Sequence, residues 1–352
     1  MRRRSSSGSR EVLALLTGLS LFLSAVESAI PRPVPFFRIG LSNLPLLLAL
    51  DVLPVGTMFL LGAAKVISQG LLSGTLFSYV SLFSLGGTAA SVLVMLGMRW
   101  TLKKRIGFVG ISAAGAFASN VVQILLARTF VFGEAAWSMG PILLSVGLVT
   151  GALLGLFAQS FSDGPLTRKL AAAVTRDLDR AVPPGPGALT RQNRVALLRF
   201  ALMTVFLPVF LLCNSLFLET VLFVLFALMA ASVGARLHPV RSLATAAAII
   251  AVQLFSPFGA VVAEAGPIVV TLGALKLGAA RALSFSGLLF LSRFGVSRDL
   301  ALPGAAGSFF QEVFAYFDLL MAWDVRSEPR KGFVRRFEAF LLHSFEVTQN
   351  TA

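Results

Sequence analysis

Long apolar segments alternate with short polar ones over the first 161 residues. A helix needs about 20 mostly apolar residues to cross a bilayer. The pattern therefore predicts a membrane domain of six spanning helices over residues 1–161. The predicted spans are Val12–Val26, Ile39–Leu53, Val55–Leu72, Thr75–Met98, Phe108–Val131 and Trp137–Phe161.

Residues 162–194 interrupt this pattern. Leu166–Ala181 mixes apolar and charged positions, which predicts an amphipathic cytoplasmic helix, and Pro183-Pro-Gly-Pro-Gly187 follows. Clusters of proline and glycine are typical of linkers. The sequence therefore predicts a domain boundary here.

The apolar pattern returns in residues 195–325, which predicts a second membrane domain of about four spans. Phe309–Trp323 is apolar but carries Glu312 and Asp318, so we expect an interfacial or re-entrant helix there. Residues 326–352 form a basic tail. The whole chain is predicted to be an all-α, polytopic membrane bundle. The predicted spans of the second domain are Leu197–Cys213, Leu216–Val233, Leu243–Val262 and Pro267–Phe290.

Composition and charge support a membrane protein. The mean hydropathy is +0.84 and only 13% of residues are charged, against about a quarter in soluble domains. The net charge of +14 comes from basic clusters between apolar segments, as the positive-inside rule requires. We therefore expect a multi-pass protein with both termini in the cytoplasm, and no nucleic-acid partner. A cleaved signal peptide over the first span is the less favoured alternative, because the helical pattern continues downstream.

The loop between the first two predicted spans contains three prolines, Pro31, Pro33 and Pro35. Proline fixes φ and lacks an N–H, so this loop is expected to be stiff and extended. Glu27 and Asn43 stand at its two ends. The loop is a candidate lid over a small-molecule site; the alternative is a connector whose charges meet lipid headgroups.

Polar residues within the spans are candidate ligand contacts. Asn120 and Gln123 are three residues apart on the fifth span and share a face, with Arg128 about a turn further on. Lys65 lies deep in the third span, where an ionisable group is costly. The alternatives are hydrogen bonds between helices for the two amides and snorkelling to headgroups for the two cations.

Small residues recur at the spacing that lets helices approach closely. Gly147, Gly151 and Gly155 form such a stripe on the sixth span, and Ala14 and Gly18 form a shorter one on the first. We expect these residues to serve helix packing.

Catalytic motifs are not evident. The sequence has no P-loop and no aspartate-rich diphosphate cluster, since Asp177 and Asp179 lie between arginines on a predicted solvated face. Cys213 is the one cysteine, and the chain has two histidines. We therefore expect no enzyme activity, no metal and no cofactor.

Five stretches together resemble the Gx transporter family, also called heptaprenyl diphosphate synthase component I, over roughly residues 11–160. That family is similar to the substrate-binding S components of energy-coupling factor (ECF) transporters. Two positions depart from its pattern: Lys65 replaces a common arginine, and Ala118-Ser119 stand where a histidine is frequent. The five stretches are Glu27-Ser-Ala-Ile-Pro31, Arg38-Ile-Gly-Leu-Ser-Asn43, Ser84-Leu-Gly-Gly87, Asn120-Val-Val-Gln123, and Pro141 with Gly147, Gly151 and Gly155.

Residues 195–300 more distantly resemble the transmembrane T component of the same transporters. Arg281 in Ala279-Ala-Arg-Ala-Leu283 and the Ser297-Arg-Asp-Leu300 stretch carry this resemblance, with Arg236 as a weaker match. It implies that Arg236 and Arg281 couple to ATPase subunits. The long cytoplasmic coupling helices of that component are not evident.

The leading hypothesis is an ECF-type uptake protein of a bacterial cytoplasmic membrane, with ATPase subunits and membrane lipids as partners. Cationic contacts suit an anionic substrate, for example a flavin, a vitamin-like compound or an isoprenoid diphosphate. Two alternatives stay open, an accessory subunit that binds a prenyl compound for polyprenyl diphosphate synthesis and a scaffold without a ligand. The predicted substrate contacts are Glu27, Arg38, Asn43, Lys65, Asn120, Gln123 and Arg128.

Overall fold

The computed structural model describes most of the chain, and its described part is helical apart from one two-stranded hairpin. This confirms the all-α, polytopic fold class. Arg38, Arg236 and the Ser297–Leu300 stretch lie outside the described residues. The described ranges are 7–29, 40–162, 164–175, 191–213, 215–235, 239–255, 257–265, 268–296, 304–322, 338–339 and 341–343.

The first domain is a bundle of five long helices with one short helix among them. Its helices run alternately up and down, so the bundle has two ends. At one end, Arg99 Nε donates a 2.7 Å hydrogen bond to Asp51 Oδ1; the opposite end is called the cavity end below. The helices are α1 (Ser7–Ala29), α2 (Leu44–Ala49), α3 (Val55–Ser73), α4 (Tyr79–Leu102), α5 (Phe108–Ala127) and α6 (Ala136–Gln159).

The span predicted over Ile39–Leu53 is wrong. Its described part is a 3-10 turn, Leu41–Asn43, followed by the six-residue α2. Every residue of α2 is buried, so this apolar segment fills the core of the bundle instead of facing lipid. An apolar run of this length is more often a buried core element than a span.

The glycine stripe of α6 packs against α5. A Cβ built on Gly151 would lie 2.7 Å from Ala116 Cβ, and one on Gly155 would lie 2.5 Å from Val109 Cα. These distances are shorter than any real contact, so only glycine permits this approach.

The described part of the second domain contains four helices and a hairpin. The hairpin pairs β1 (Val261–Ala265) with β2 (Ile268–Thr271) in antiparallel register. It occupies the junction of two predicted spans, so the end predicted at Val262 is wrong, and the residues after Pro267, which itself lies outside the described residues, begin with a strand instead of a helix. Valine, isoleucine and threonine favour strands. The helices are α8 (Arg191–Leu211), α9 (Leu216–Ser232), α10 (Pro239–Gln253) and α11 (Leu272–Gly295).

Two further helices pack on the first domain. The amphipathic helix predicted after the first domain is α7 (Pro165–Thr175), and it contacts α1. The helix predicted over Phe309–Trp323 is α12 (Gly304–Met321), which lies along α1. A Cβ built on Gly18 of α1 would lie 2.8 Å from Tyr316 Cβ of α12, and Ala14 is fully buried on the same helix.

Six helical stretches in the described part of the chain are long and apolar enough to cross a membrane. One of them, Phe108–Gln159, contains both α5 and α6. The chain is therefore a multi-pass membrane protein. The other five stretches are Ser9–Ser28, Val55–Ser73, Tyr79–Leu102, Asn193–Leu211 and Leu272–Gly295.

Helix α11 lies across the cavity end of the first domain. Ser292 Oγ accepts a 3.1 Å hydrogen bond from the backbone nitrogen of Phe77, in the loop between α3 and α4. The guanidinium of Arg281 lies against Gly133, between α5 and α6. These two contacts are about 16 Å apart along α11, at 1.5 Å per residue. One helix thus bridges both loops at this end.

Candidate solute-binding cavity

A cavity of about 300 Å³ lies at the cavity end, between the first domain and helices α10 and α11. Its walls combine hydroxyl, amide and cationic side chains with a smaller apolar part. The polar lining side chains are Ser42, Asn43, Lys65, Thr75, Ser84, Thr88, Ser119, Asn120, Gln123, Thr150, Thr245 and Arg293.

Lys65 is buried in the wall of the cavity. Its side chain is on α3, it is 3% exposed, and its ammonium donates a hydrogen bond to Oδ1 of Asn43. Asn43 ends the 3-10 turn that precedes α2. A cation held this deeply in an apolar bundle is typical of a ligand or ion pathway.

Glu27 positions the start of that turn. Its carboxylate is buried, and Oε1 accepts a 3.2 Å hydrogen bond from the backbone nitrogen of Gly40. Gly40 has φ of +89°, a conformation that glycine adopts without strain. Glu27 therefore supports the wall of the cavity through Gly40 and does not itself line it.

Asn120 and Gln123 line the cavity from α5, on the shared face that the sequence predicts. Asn120 Nδ2 donates a 2.7 Å hydrogen bond to the Leu143 carbonyl of α6, and Gln123 Nε2 donates a 2.9 Å hydrogen bond to Ser119 Oγ. Asn120 thus also makes a hydrogen bond between helices, which was the expected alternative to a ligand contact. Both amides are held in fixed positions at the wall.

Two glycines provide room for these amides. A Cβ built on Gly147 would lie 1.9 Å from Asn120 Nδ2, and one on Gly87 would lie 2.7 Å from Gln123 Nε2. Gly147 was predicted to serve helix packing, and the structure places it at the cavity as well. Any larger side chain at these positions would push an amide out of place.

The structure places Arg128 away from the cavity. Its Nη2 lies 2.6 Å from Glu134 Oε1, and its guanidinium lies over the ring of Trp137, 5.7 Å from the centroid. The side chain is 45% exposed. The polar wall predicted from Asn120, Gln123 and Arg128 therefore contains only the two amides.

Four lining residues come from the second domain: Thr245 on α10, and Phe285, Leu289 and Arg293 on α11. The sequence prediction missed them because it placed the site within the first domain. A signal was present, since Arg281, Phe285, Leu289 and Arg293 recur every four residues and share one face.

Arg281, predicted to couple to ATPase subunits, lies between the two domains. Its Nη1 lies 2.8 Å from the position of a Cβ at Gly133. With the Gln253 amide oriented to satisfy both of its groups, Gln253 accepts from Arg281 at 3.3 Å and donates to the Phe132 carbonyl at 2.9 Å. Arg281 thus belongs to the contact that holds α11 on the first domain.

The cavity has a cationic character. Among the described side chains that line it, Lys65 and Arg293 are cationic and none is acidic. Its apolar side is formed by Val80, Phe83, Leu143, Phe285 and Leu289. A small molecule with one apolar ring or chain and one anionic group matches these walls.

The fold and the cavity define a polytopic helical membrane protein with a polar cavity at one end of its first domain. Residues 16–161 match the model of the family described as heptaprenyl diphosphate synthase component I, which confirms the resemblance of the first domain. Residues 195–297 match a family described as a domain of unknown function, DUF8519. No curated protein and no solved structure matches the chain. The T-component resemblance of the second domain stays a prediction.

Proposed function

We propose that this protein imports a small anionic solute, which binds in the cavity. The observation that carries this proposal is a buried lysine, Lys65, in a polar cavity inside an apolar membrane bundle. Such groups are costly and are retained where they meet substrates or ions. The first domain acts as the substrate-binding component of an ECF-type transporter in a bacterial cytoplasmic membrane. ATPase subunits from separate chains supply the energy.

The walls favour a vitamin-like or flavin-like ligand. Phe83 and Phe285 are aromatic lining residues against which a flat ring would pack, and the amides of Asn120 and Gln123 would bind its heteroatoms. Lys65 pairs with a carboxylate or phosphate, because a charge-assisted hydrogen bond is strongest away from water.

A second candidate is the accessory role in the family description, in which the cavity holds a prenyl diphosphate for a partner enzyme. The diphosphate would suit Lys65. The prenyl chain would need a long apolar channel, whereas twelve polar side chains line this cavity. The lining therefore favours a water-soluble ligand.

Mass spectrometry of small molecules that co-purify with the protein tests the proposal. Wild type should carry a water-soluble anion that is lost from Lys65→Met and from Gln123→Ala. Arg128→Gln is the matched control, because it removes a cation outside the cavity, and it should keep the ligand. A prenyl lipid in wild type would support the accessory role. Equal ligand content in all four proteins would contradict a binding site at this cavity. That result is expected if the protein is a scaffold without a ligand.

A further inference from the structure

The end of the first domain opposite the cavity end carries exposed cationic and aromatic side chains. They lie where α4 ends and the chain turns into α5. Trp100 is 83% exposed, and Lys103 and Arg105 are exposed and form no ion pair within the described part of the chain. Tryptophan and basic residues at the end of a spanning helix are typical of the membrane–water interface. Trp100, Leu102, Lys103 and Arg105 are called the α4 turn below.

The length of α4 places this turn at the level of the lipid headgroups. The helix has 24 residues, which span about 36 Å at 1.5 Å per residue, whereas the hydrocarbon core of a bilayer is about 30 Å thick. Arg99 and Asp51 form an ion pair at this end, and charged groups are costly inside the hydrocarbon core. The last turn of α4 therefore extends beyond that core, and Lys103 and Arg105 follow it directly.

Arg99 fixes the shape of the α4 turn. Its Nε donates a 2.7 Å hydrogen bond to Asp51 Oδ1, and its Nη1 donates a 3.3 Å hydrogen bond to the Lys103 carbonyl. Its guanidinium also lies over the ring of Phe108 of α5, 5.8 Å from the centroid. Lys103 has φ of +49°, a conformation that is uncommon for a residue with a side chain. The turn is thus held in one form, in which Lys103 and Arg105 are exposed.

A gap on the surface of α4 continues from this turn into the membrane. Leu93, Gly97 and Trp100 stand four and three residues apart, so they share one face of the helix. Leu93 is 59% exposed, and a Cβ built on the exposed Gly97 would meet nothing within 4 Å. The glycine therefore leaves an open gap between the leucine and the indole. An acyl chain whose headgroup lies at the turn fits along this face.

We propose that the α4 turn and this gap bind one anionic phospholipid. Lys103 and Arg105 bind its phosphate, because two long cationic side chains in one short turn can reach the same oxyanion. The indole of Trp100 packs at the level of the glycerol backbone, and one acyl chain lies in the gap at Gly97. Exposed basic residues at the membrane surface attract lipids with a net negative charge. This site lies at the other end of the bundle from the cavity and does not depend on solute uptake.

Quenching of Trp100 fluorescence by brominated lipids tests this site. In a background of Trp137→Phe and Trp323→Phe, Trp100 is the one tryptophan that remains. The protein is placed in bilayers of phosphatidylcholine, and a small fraction of the lipid is replaced by brominated phosphatidylglycerol or by brominated phosphatidylcholine with the same chains. The binding constant at Trp100 should favour phosphatidylglycerol on the order of fivefold or more.

Charge variants decide which residues carry this preference. Lys103→Gln combined with Arg105→Gln should abolish it. The matched control, Arg128→Gln combined with Lys276→Gln, removes two exposed cations, one at the cavity end and one on α11, and should keep it. Equal quenching by the two lipids in the parent protein would overturn the proposal. The same loss in the control, or an unchanged preference in the Lys103 and Arg105 variant, would overturn it as well.

Competition with inorganic phosphate separates a lipid headgroup from a soluble anion. Sodium phosphate and sodium chloride are compared at equal ionic strength, so that general screening is the same in both. The preference for phosphatidylglycerol should be equal in the two salts. A preference that is lost in phosphate alone would overturn the assignment to a lipid.

A filled gap tests the place of the acyl chain. Gly97→Leu should lower the number of phosphatidylglycerol molecules that native mass spectrometry finds on the protein in detergent. Gly56→Leu is the matched control, because a Cβ at Gly56 of α3 also meets nothing within 4 Å, and it should retain as many as wild type. Equal retention in both variants would overturn the assignment of the gap at Gly97.

Discussion

The ammonium group of Lys65 donates a hydrogen bond to the side-chain oxygen of Asn43. This bond connects α3 to the turn before α2, and both residues line the same cavity. A short buried element replaces a spanning helix at this point, and its turn presents Asn43 and Ser42 to the cavity. The local departure from a regular six-helix pattern therefore helps to build the site.

Replacing Lys65 should separate binding from stability. Lys65→Met keeps the volume of the side chain. It removes a buried charge, which favours folding, but it leaves Asn43 Oδ1 without this donor, which opposes folding, so the melting temperature in detergent should change little. Retention of the co-purified solute should fall by about tenfold or more, because a charge-assisted hydrogen bond is worth about 1.5–3 kcal/mol. A large fall in melting temperature with unchanged retention would show that Lys65 serves the fold alone.

Gly155→Ala should destabilise the first domain. The new Cβ would lie 2.5 Å from Val109 Cα and 2.7 Å from the Phe108 carbonyl oxygen, and backbone atoms cannot turn away as a side chain would. Overpacking of this kind costs about 1–3 kcal/mol, which a thermal unfolding curve detects. Gly97→Ala is the control, since a Cβ there meets nothing within 4 Å; an equal loss in both variants would contradict the close packing of α5 and α6.

Arg128→Gln should have little effect on either property. Its ion pair with Glu134 is exposed, and such pairs contribute about 0–1 kcal/mol. Solute retention should match wild type because Arg128 does not line the cavity. Loss of solute from this variant alone would restore Arg128 as a ligand contact.

The contact between α1 and α12 should respond to pH. Arg10 Nη2 lies 2.9 Å from Glu312 Oε1, and α12 is not among the spanning stretches. Burial raises the pKa of the Glu312 carboxyl above its ordinary value of 4.5. Arg10 lowers this pKa in part, and the nearby Glu11 raises it further.

A raised pKa in the folded state means that the protonated carboxyl favours folding. The stabilising contribution of Glu312 is therefore present below pH 4.5 and is lost as pH rises through the raised value. Glu312→Gln removes this titration, so its melting temperature should fall less than that of wild type between pH 4.5 and neutral pH. Identical pH profiles for the two proteins would contradict this sign.

Much of the fold follows from hydropathy, because most long apolar segments are helices of spanning length. The error at Leu44–Leu50 arises because hydropathy reports how apolar a segment is and not what covers it, and this segment is covered by protein. The hairpin of Val261–Ala265 with Ile268–Thr271 has another cause, since apolar β-branched residues suit a strand as well as a spanning helix. Gly40, with a positive φ, and Pro45 at the start of α2 mark the first irregularity in the sequence.

The candidate site was predictable only in part. One cavity is lined by four of the predicted residues, Asn43, Lys65, Asn120 and Gln123. This is expected of polar residues that are costly to place in apolar spans. Their contact with a substrate stays a prediction. Arg293 was missed because the docking of α11 on the first domain depends on surface complementarity. A hydrophobic pattern carries no information about which end of a neighbouring bundle a helix will cover.

Solute uptake is the central claim, and a transport assay tests it most directly. Cells that produce wild type, Lys65→Met or Arg128→Gln at equal levels would be given the isotope-labelled form of the compound that co-purifies with the protein. Wild type and Arg128→Gln should accumulate it, and Lys65→Met should stay at the level of cells without the protein. Equal accumulation in all three, or binding without accumulation in wild type, would contradict import through this cavity.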